Sequence, residues 1–312
     1  MNKEITKIIK NYIKEYQKND DIKTEWKEVI VNFADAKDPQ FKKLKEIVSP
    51  SHAMPEDIIS DAKSVIAYFI PFSEEVANSN IEGKYSSKEW AKAYVETNQL
   101  IADINDHLKN VFTKKGYKVA TIPATSNFDE DKLMSDWSHR HVAHIAGLGT
   151  FGANNMLITD KGCAGRIGTI VSNINLESSK KIKEERCLKK AGYNCNKCID
   201  RCVIDAFTKS DFDRFSCYDL LLENDKKVVV LFTNEWSGSA IILSGALSSL
   251  QKSWSKTFHF VELPKDECHE IGEKYDVQNI PTILVFEKGK IIEKITGVPS
   301  KNTIENILEK LK

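Results

Sequence analysis

Val-Val-Val-Leu-Phe-Thr-Asn-Glu-Trp-Ser-Gly-Ser-Ala, residues 228–240, decides how the chain divides. Its run of β-branched and apolar residues predicts a buried strand, and it opens a fresh strand–helix pattern. Just before it, Glu-Asn-Asp-Lys-Lys at 223–227 is a charged seam where composition changes, and a domain boundary is expected there. Beyond it, Phe-His-Phe-Val-Glu-Leu at 258–263 and Asn-Ile-Pro-Thr-Ile-Leu-Val-Phe-Glu-Lys-Gly-Lys at 279–290 supply further strand signals, with a hairpin at Lys288–Gly289.

Upstream, Ile5, Ile8, Ile9, Tyr12, Ile13 and Tyr16 recur at helical spacing and predict an amphipathic helix packed on the body. Polar stretches follow. Pro55 opens a short helix, and Ser64 to Phe72 is a compact apolar run typical of a buried strand. Lys88 to Lys114 reads as a long helix carrying Trp90, Tyr94, Leu100, Ile101, Ile104, Leu108 and Phe112 mostly on one side, and Tyr117 to Pro123 as a strand. Apolar runs follow at Met156–Thr159 and Ile167–Val171. Strand, helix and strand in succession indicate an α/β class, with an α+β arrangement in the N-terminal part.

With 312 residues the chain has room for two cores. Lys plus Arg equals Asp plus Glu at 45 each, so the overall charge gives no electrostatic footprint for nucleic acid or an anionic membrane. No apolar run approaches the ~20 residues needed to span a bilayer, and charges interrupt every candidate leader core. A cytoplasmic, reducing location is expected.

Five of the seven cysteines fall between 187 and 217: Cys187, Cys195, Cys198, Cys202 and Cys217. In a reducing compartment such clustering favours metal over disulfides. Cys195-x2-Cys198-x3-Cys202 reproduces the later part of the bacterial ferredoxin run. Gly192 stands where that run would carry its first Cys, so Cys187 or Cys217 must complete a four-thiolate set. Five thiols are one too many for one 4Fe–4S cluster and too few for two. Structural zinc is the competing metal, although it favours two separated Cys pairs. Cys163, beside a glycine, reads as a small buried residue.

Gly147, Gly149 and Gly152 fit G-x-G-x-x-G literally. That fingerprint needs a strand before it and a helix after it. Here Arg140 to Ala146 looks helical and Asn154 to Thr159 looks like a strand, so the order is reversed and the dinucleotide reading is rejected. His139, Arg140, His141 and His144 crowd the same stretch. They read either as donors and proton carriers for a bound cofactor or as capping and packing groups around the glycine turn.

Two resemblances go further. Trp137 to Gly152, followed by Lys161 to Arg166, the strand at 62–66 and Phe212 to Cys217, resembles the epoxyqueuosine reductase superfamily over roughly residues 50–222. That resemblance implies a cobalamin-binding reductase-like domain over 1–180 and an iron–sulfur segment over 181–222. It also implies His139, Arg140, His141, Gly147, Gly149 and Gly152 as cofactor-binding residues, and an electron donor or acceptor protein as partner. Leu133 stands where family enzymes carry a proton-donating acid, and the family's second complete cysteine run and helical-repeat tail are absent, so a different or reduced task is implied; Val203 stands where the ferredoxin run usually has Pro. The tail, residues 226–312, resembles thioredoxin, in which the Ile280–Pro281 bond would be cis. Where that family carries Trp-Cys-Gly-Pro-Cys, this chain reads Trp236, Ser237, Gly238, Ser239, Ala240. Disulfide exchange needs a thiolate and a resolving thiol, and Cys268 lies elsewhere. The tail is therefore expected to bind a client. The whole reads as an iron–sulfur oxidoreductase or electron-transfer protein; the competing class is a non-enzymatic scaffold whose cluster is structural.

Overall fold

A computed structural model describes the chain except for residues 124, 125, 130, 208–211, 223–226, 234–237, 256, 265–268 and 288; at 221, 222, 239–241, 269 and 270 only the backbone is described. Two compact units emerge, Met1–Asp213 and Arg214–Lys312.

The first unit opens with α1 (Asn2–Tyr16), whose Ile5, Ile9 and Ile13 are buried as the periodicity required. Burying each such side chain contributes about 1.5–3 kcal/mol. At its start the Asn2 amide donates to the Glu177 carbonyl at 2.8 Å and accepts the Glu177 N–H at 3.3 Å, tying the helix start to the segment after the last sheet strand. Next come β1 (Ile30–Asp35), α2 (Gln40–Ile47), α3 (Pro55–Ile58), β2 (Ser64–Pro71), α4 (Glu74–Ser79), α5 (Lys88–Thr113), β3 (Val119–Thr121) and α6 (His139–Ile145). A short hairpin of β4 (Gly149–Phe151) and β5 (Leu157–Thr159), then β6 (Gly165–Ser172) and the single turn α7 (Lys197–Asp200), complete the unit.

Its main sheet runs β1-β2-β6-β3 with every pairing antiparallel, which makes this unit α+β. Every residue of β2 is buried, because both faces are covered. Ile66, Tyr68 and Ile70 meet α1 and α5 on one side, while Val65, Ala67 and Phe69 meet α6 on the other. The expected elements at 2–16, 55–58, 64–71, 88–113 and 119–121 are all present. Two details differ: Tyr94 is exposed rather than on the buried side of α5, and Met156 lies outside the strand that follows it.

The second unit holds α8 (Arg214–Leu222), β7 (Lys227–Thr233), α9 (Gly238–Trp254), β8 (Phe258–Pro264), α10 (His269–Lys274), β9 (Thr282–Glu287), β10 (Lys290–Thr296) and α11 (Lys301–Lys310). The order is β10-β9-β7-β8, with β7 parallel to β8 and antiparallel to β9. Leu243, Leu247, Leu250, Ile304 and Leu308 from α9 and α11 cover one face over Val229, Leu231, Ile283 and Val285. Val230, Phe232, Leu284 and Val277 form a smaller core on the other. No described helix is long and apolar enough to cross a membrane.

Candidate functional site

The histidine-rich helix α6 is built around a neutral hydrogen-bond chain. Trp137 Nε1–H donates to Thr169 Oγ1 at 2.9 Å, that hydroxyl meets His139 Nδ1 at 2.8 Å, and His139 Nε2 meets the Pro123 carbonyl at 2.9 Å. A carbonyl only accepts, so Nε2 carries the proton and Nδ1 takes the threonine hydroxyl. Burial pushes the His139 pKa down, in keeping with that neutral tautomer. His52 is held alike: it stacks on Trp137 with centroids 5.6 Å apart, accepts the Ser138 N–H at 3.0 Å, and has its pKa lowered by burial.

His141 and His144 face the hairpin. Their rings lie 4.6 and 5.6 Å from that of Phe151. His141 Nδ1 meets Ser138 Oγ at 2.7 Å, and His144 Nδ1 donates to the Gly149 carbonyl at 2.8 Å. Among the described residues neither Nε2 has a hydrogen-bond partner. Burial first, then the charges of Arg140, His52 and His144, bring the His141 pKa down to about 4, so its ring is neutral near pH 7. Arg140 donates from Nη1 to the Asn155 carbonyl at 2.6 Å. Leu133, at the place of the resembled family's acid, has φ 50°, a conformation a branched side chain adopts at a cost.

The three glycines serve the chain's own packing. A Cβ on Gly147, whose φ is +77°, would stand 2.6 Å from the Lys180 carbonyl oxygen. One on Gly149 would stand 2.3 Å from the Ile158 oxygen, across the β4–β5 pair, and one on Gly152 would stand 2.6 Å from Asn154 Oδ1. The helix stands before the turn and a strand follows, as the reversed order implied. The glycines therefore form no cradle that a Cβ would fill against a ligand, and the His139 nitrogens are both spent internally. These residues do not fit a corrinoid site as built.

The cysteine arm packs against this same hairpin. Cys187 is buried, and its Sγ accepts the Ala153 N–H at 3.4 Å, one residue past Gly152. Burial alone would raise its pKa; the amides of Lys190, Ala153 and Lys189 outweigh that and lower it. The chain then turns through Gly192 at φ +92° into Cys195 and α7, which carries Cys198. The Cys198 thiol is pushed up by burial and by the charges of Cys187 and Cys195. Cys202 Sγ accepts the Ala206 N–H at 3.2 Å. Cys163, Cys187, Cys195, Cys198 and Cys202 are all unbridged thiols. Cys163 is half-buried rather than buried, and burial raises its pKa, with a smaller push from the charge of Cys198. Cys217 lies in α8, in the second unit, and is half-buried.

Among the described residues, no three His, Cys, Asp or Glu side chains converge closely enough to hold a single metal ion. Thiolates around an iron–sulfur cube do not converge on one ion, since each takes its own iron. Sequence reasoning missed the residues that fasten the arm. Thr150, Glu185, Arg186 and Asp160 link it to the hairpin, as does Lys190, which donates to the Phe151 carbonyl at 2.7 Å. Thr150 occupies a variable position of the glycine pattern, and the other four belong to no recognisable motif.

In the second unit the Ile280–Pro281 bond is cis. Trp236, Ser237 and Cys268 lie outside the described residues, as do the side chains of Ser239 and Ala240; Gly238 begins α9. The thioredoxin family profile matches residues 206–310. The thioredoxin of Mycoplasmoides gallisepticum is 34% identical over 91 residues, spanning 29% of this chain and 90% of that relative. The thioredoxin of Chlorobaculum thiosulfatiphilum is 30% identical over 84 residues, spanning 27% and 78% respectively. The germline-specific thioredoxin Deadhead from Drosophila melanogaster aligns over 32% of this chain and 89% of its own, at 21% identity and a TM-score of 0.28. Through residues 206–310, the chain belongs to the thioredoxin family.

Proposed function

We propose that the first unit is an iron–sulfur electron-transfer module and that Cys187, Cys195, Cys198 and Cys202, the arm thiols of one compact unit, hold a 4Fe–4S cluster. The observation that carries this reading is that two of these sulfurs already accept backbone N–H groups, Cys187 from Ala153 at 3.4 Å and Cys202 from Ala206 at 3.2 Å. Amide hydrogen bonds to sulfur stabilise thiolate and help to set a cluster's potential. Arg186 Nε, one residue from Cys187, is buried with no partner among the described residues, and a sulfur acceptor would satisfy it. A bound cluster supplies single-electron transfer. The protein's own residues supply ligation, burial of Cys187 and fixed amide dipoles.

The partner of this module is an electron donor or acceptor protein. The thioredoxin-family unit offers Ser237 and Ala240 where its relatives' exchange chemistry needs thiols, so it binds a client and does not turn over disulfides. The unbridged thiols suit a reducing compartment such as the cytoplasm.

The test is anaerobic purification or reconstitution with iron and sulfide, read by ultraviolet–visible and electron paramagnetic resonance spectra. A brown protein that bleaches on reduction is expected, with Cys187→Ser, Cys195→Ser and Cys198→Ser each losing the cluster and Cys217→Ser retaining it. Colourless protein carrying one zinc per chain would overturn the reading. A cluster that cannot be reduced, and is lost only on unfolding, would favour the scaffold alternative.

A further inference from the structure

Three consecutive residues at the start of the cysteine arm each grip the β4–β5 hairpin. Thr150 Oγ1 donates to Glu185 Oε1 at 3.0 Å, and that same carboxylate oxygen accepts the Cys187 N–H at 2.9 Å. The Arg186 N–H donates back to Thr150 Oγ1 at 3.1 Å, while Arg186 Nη2 pairs with Asp160 Oδ1 at 2.5 Å in the turn after β5. Cys187 closes the set through its sulfur, on Ala153. The threonine hydroxyl thus both gives and takes a hydrogen bond at a site only 8% exposed, where an unmade bond would leave a buried polar group unsatisfied. Side chains alternate along a strand, so Phe151 turns to His141 and His144 while Thr150 turns to the arm.

We infer that Thr150 and Glu185 are positioning residues, a polar clip that holds the Cys187 thiol against the hairpin and sets the electron affinity of a cluster bound there. The part of this that concerns the cluster rests on the function proposed above. The two residues contribute differently. Thr150 supplies geometry, since its hydroxyl bridges the Arg186 amide and the Glu185 carboxylate. Glu185 adds a negative charge beside the first thiolate, which disfavours an added electron.

The experiment separates these contributions, using the full chain. In apo protein, hydrogen exchange is followed at the amides of Arg186, Cys187 and Tyr193, with the amides of β2 as the check on global folding. Thr150→Val keeps the volume and removes the hydroxyl; it should speed exchange in the arm about tenfold or more, the effect of losing a hydrogen bond to a charged group. Thr150→Ser should behave as wild type. Arm exchange unchanged in Thr150→Val would overturn the clip. In reconstituted protein, Glu185→Gln keeps an acceptor oxygen and removes the charge, so the cluster's midpoint potential should move upward with its resonance line shape retained. An unchanged or lowered potential would overturn the electrostatic role. If wild type takes up no cluster, the proposed function fails, and the apo exchange result alone still decides the clip.

Discussion

Acid should loosen the first unit well before its carboxylates protonate, and His141 gives the size of the effect. Its pKa falls from 6.5 to about 4 on folding, with burial the leading cause. Between those values the unfolded chain binds more protons than the folded one. The stability tied to the neutral ring is therefore fully present above about 6.5 and drains away as pH falls toward about 4. From about pH 7 to about pH 5, His141 alone removes roughly 2 kcal/mol, a large part of an ordinary domain's margin. His52 and His139, both lowered by burial, act in the same direction. Carboxylates held low by their partners, such as Glu185, lose their contribution only below about 4.5, outside the range from about pH 7 to about pH 5. The assay is urea unfolding across that pH range, read by hydrogen exchange at the α6 amides, which reports the first unit separately from the second. His141→Asn cannot ionise yet can still accept from Ser138, so it should remove about 2 kcal/mol of the pH dependence. A variant that loses stability with acid as steeply as wild type would refute the reasoning.

Three further outcomes are expected. Gly149→Ala should cost about 1–3 kcal/mol or more in thermal unfolding, because its Cβ would meet the Ile158 carbonyl of the partner strand at 2.3 Å. Ile9→Ala should cost about 2–5 kcal/mol by denaturant titration, since Ile9 is fully buried in the α1–α5 core. The native chain should show no reduction of insulin disulfides, because neither Ser237 nor Ala240 can supply a thiolate; activity at a thioredoxin's level would contradict it.

What was legible beforehand follows from how much information lies in local pattern. The period of Ile5, Ile9 and Ile13, the solid apolar run of β2 and the Ile280–Pro281 signature each depend on neighbouring residues, and each was readable. β1 and α2 lie in stretches that read as polar. The first is an edge strand whose burial does not alternate, with three half-buried residues followed by two buried ones, and the second buries only Phe41 and Leu44, so neither carries a strong periodic signal. At the candidate site the thiols and histidines were visible by residue type. Their fastening was not, because Thr150 and Glu185 meet across a separation of 35 residues and neither side chain is unusual by itself. The glycine pattern misled in the opposite direction: it matches a ligand-binding fingerprint, while the collisions around it lie within the chain.

The clasp between Asn2 and Glu177 has a bearing on how the protein is made. Those residues are 175 positions apart, so the first helix leaves the ribosome long before the segment it fastens to exists. Through that interval Ile5, Ile9 and Ile13 have no completed seat, and β2 awaits its partner β6, about a hundred residues downstream. Such long-range closure slows folding and leaves apolar surface open to wrong company. Release before β6 is synthesised should therefore yield a fragment prone to aggregation.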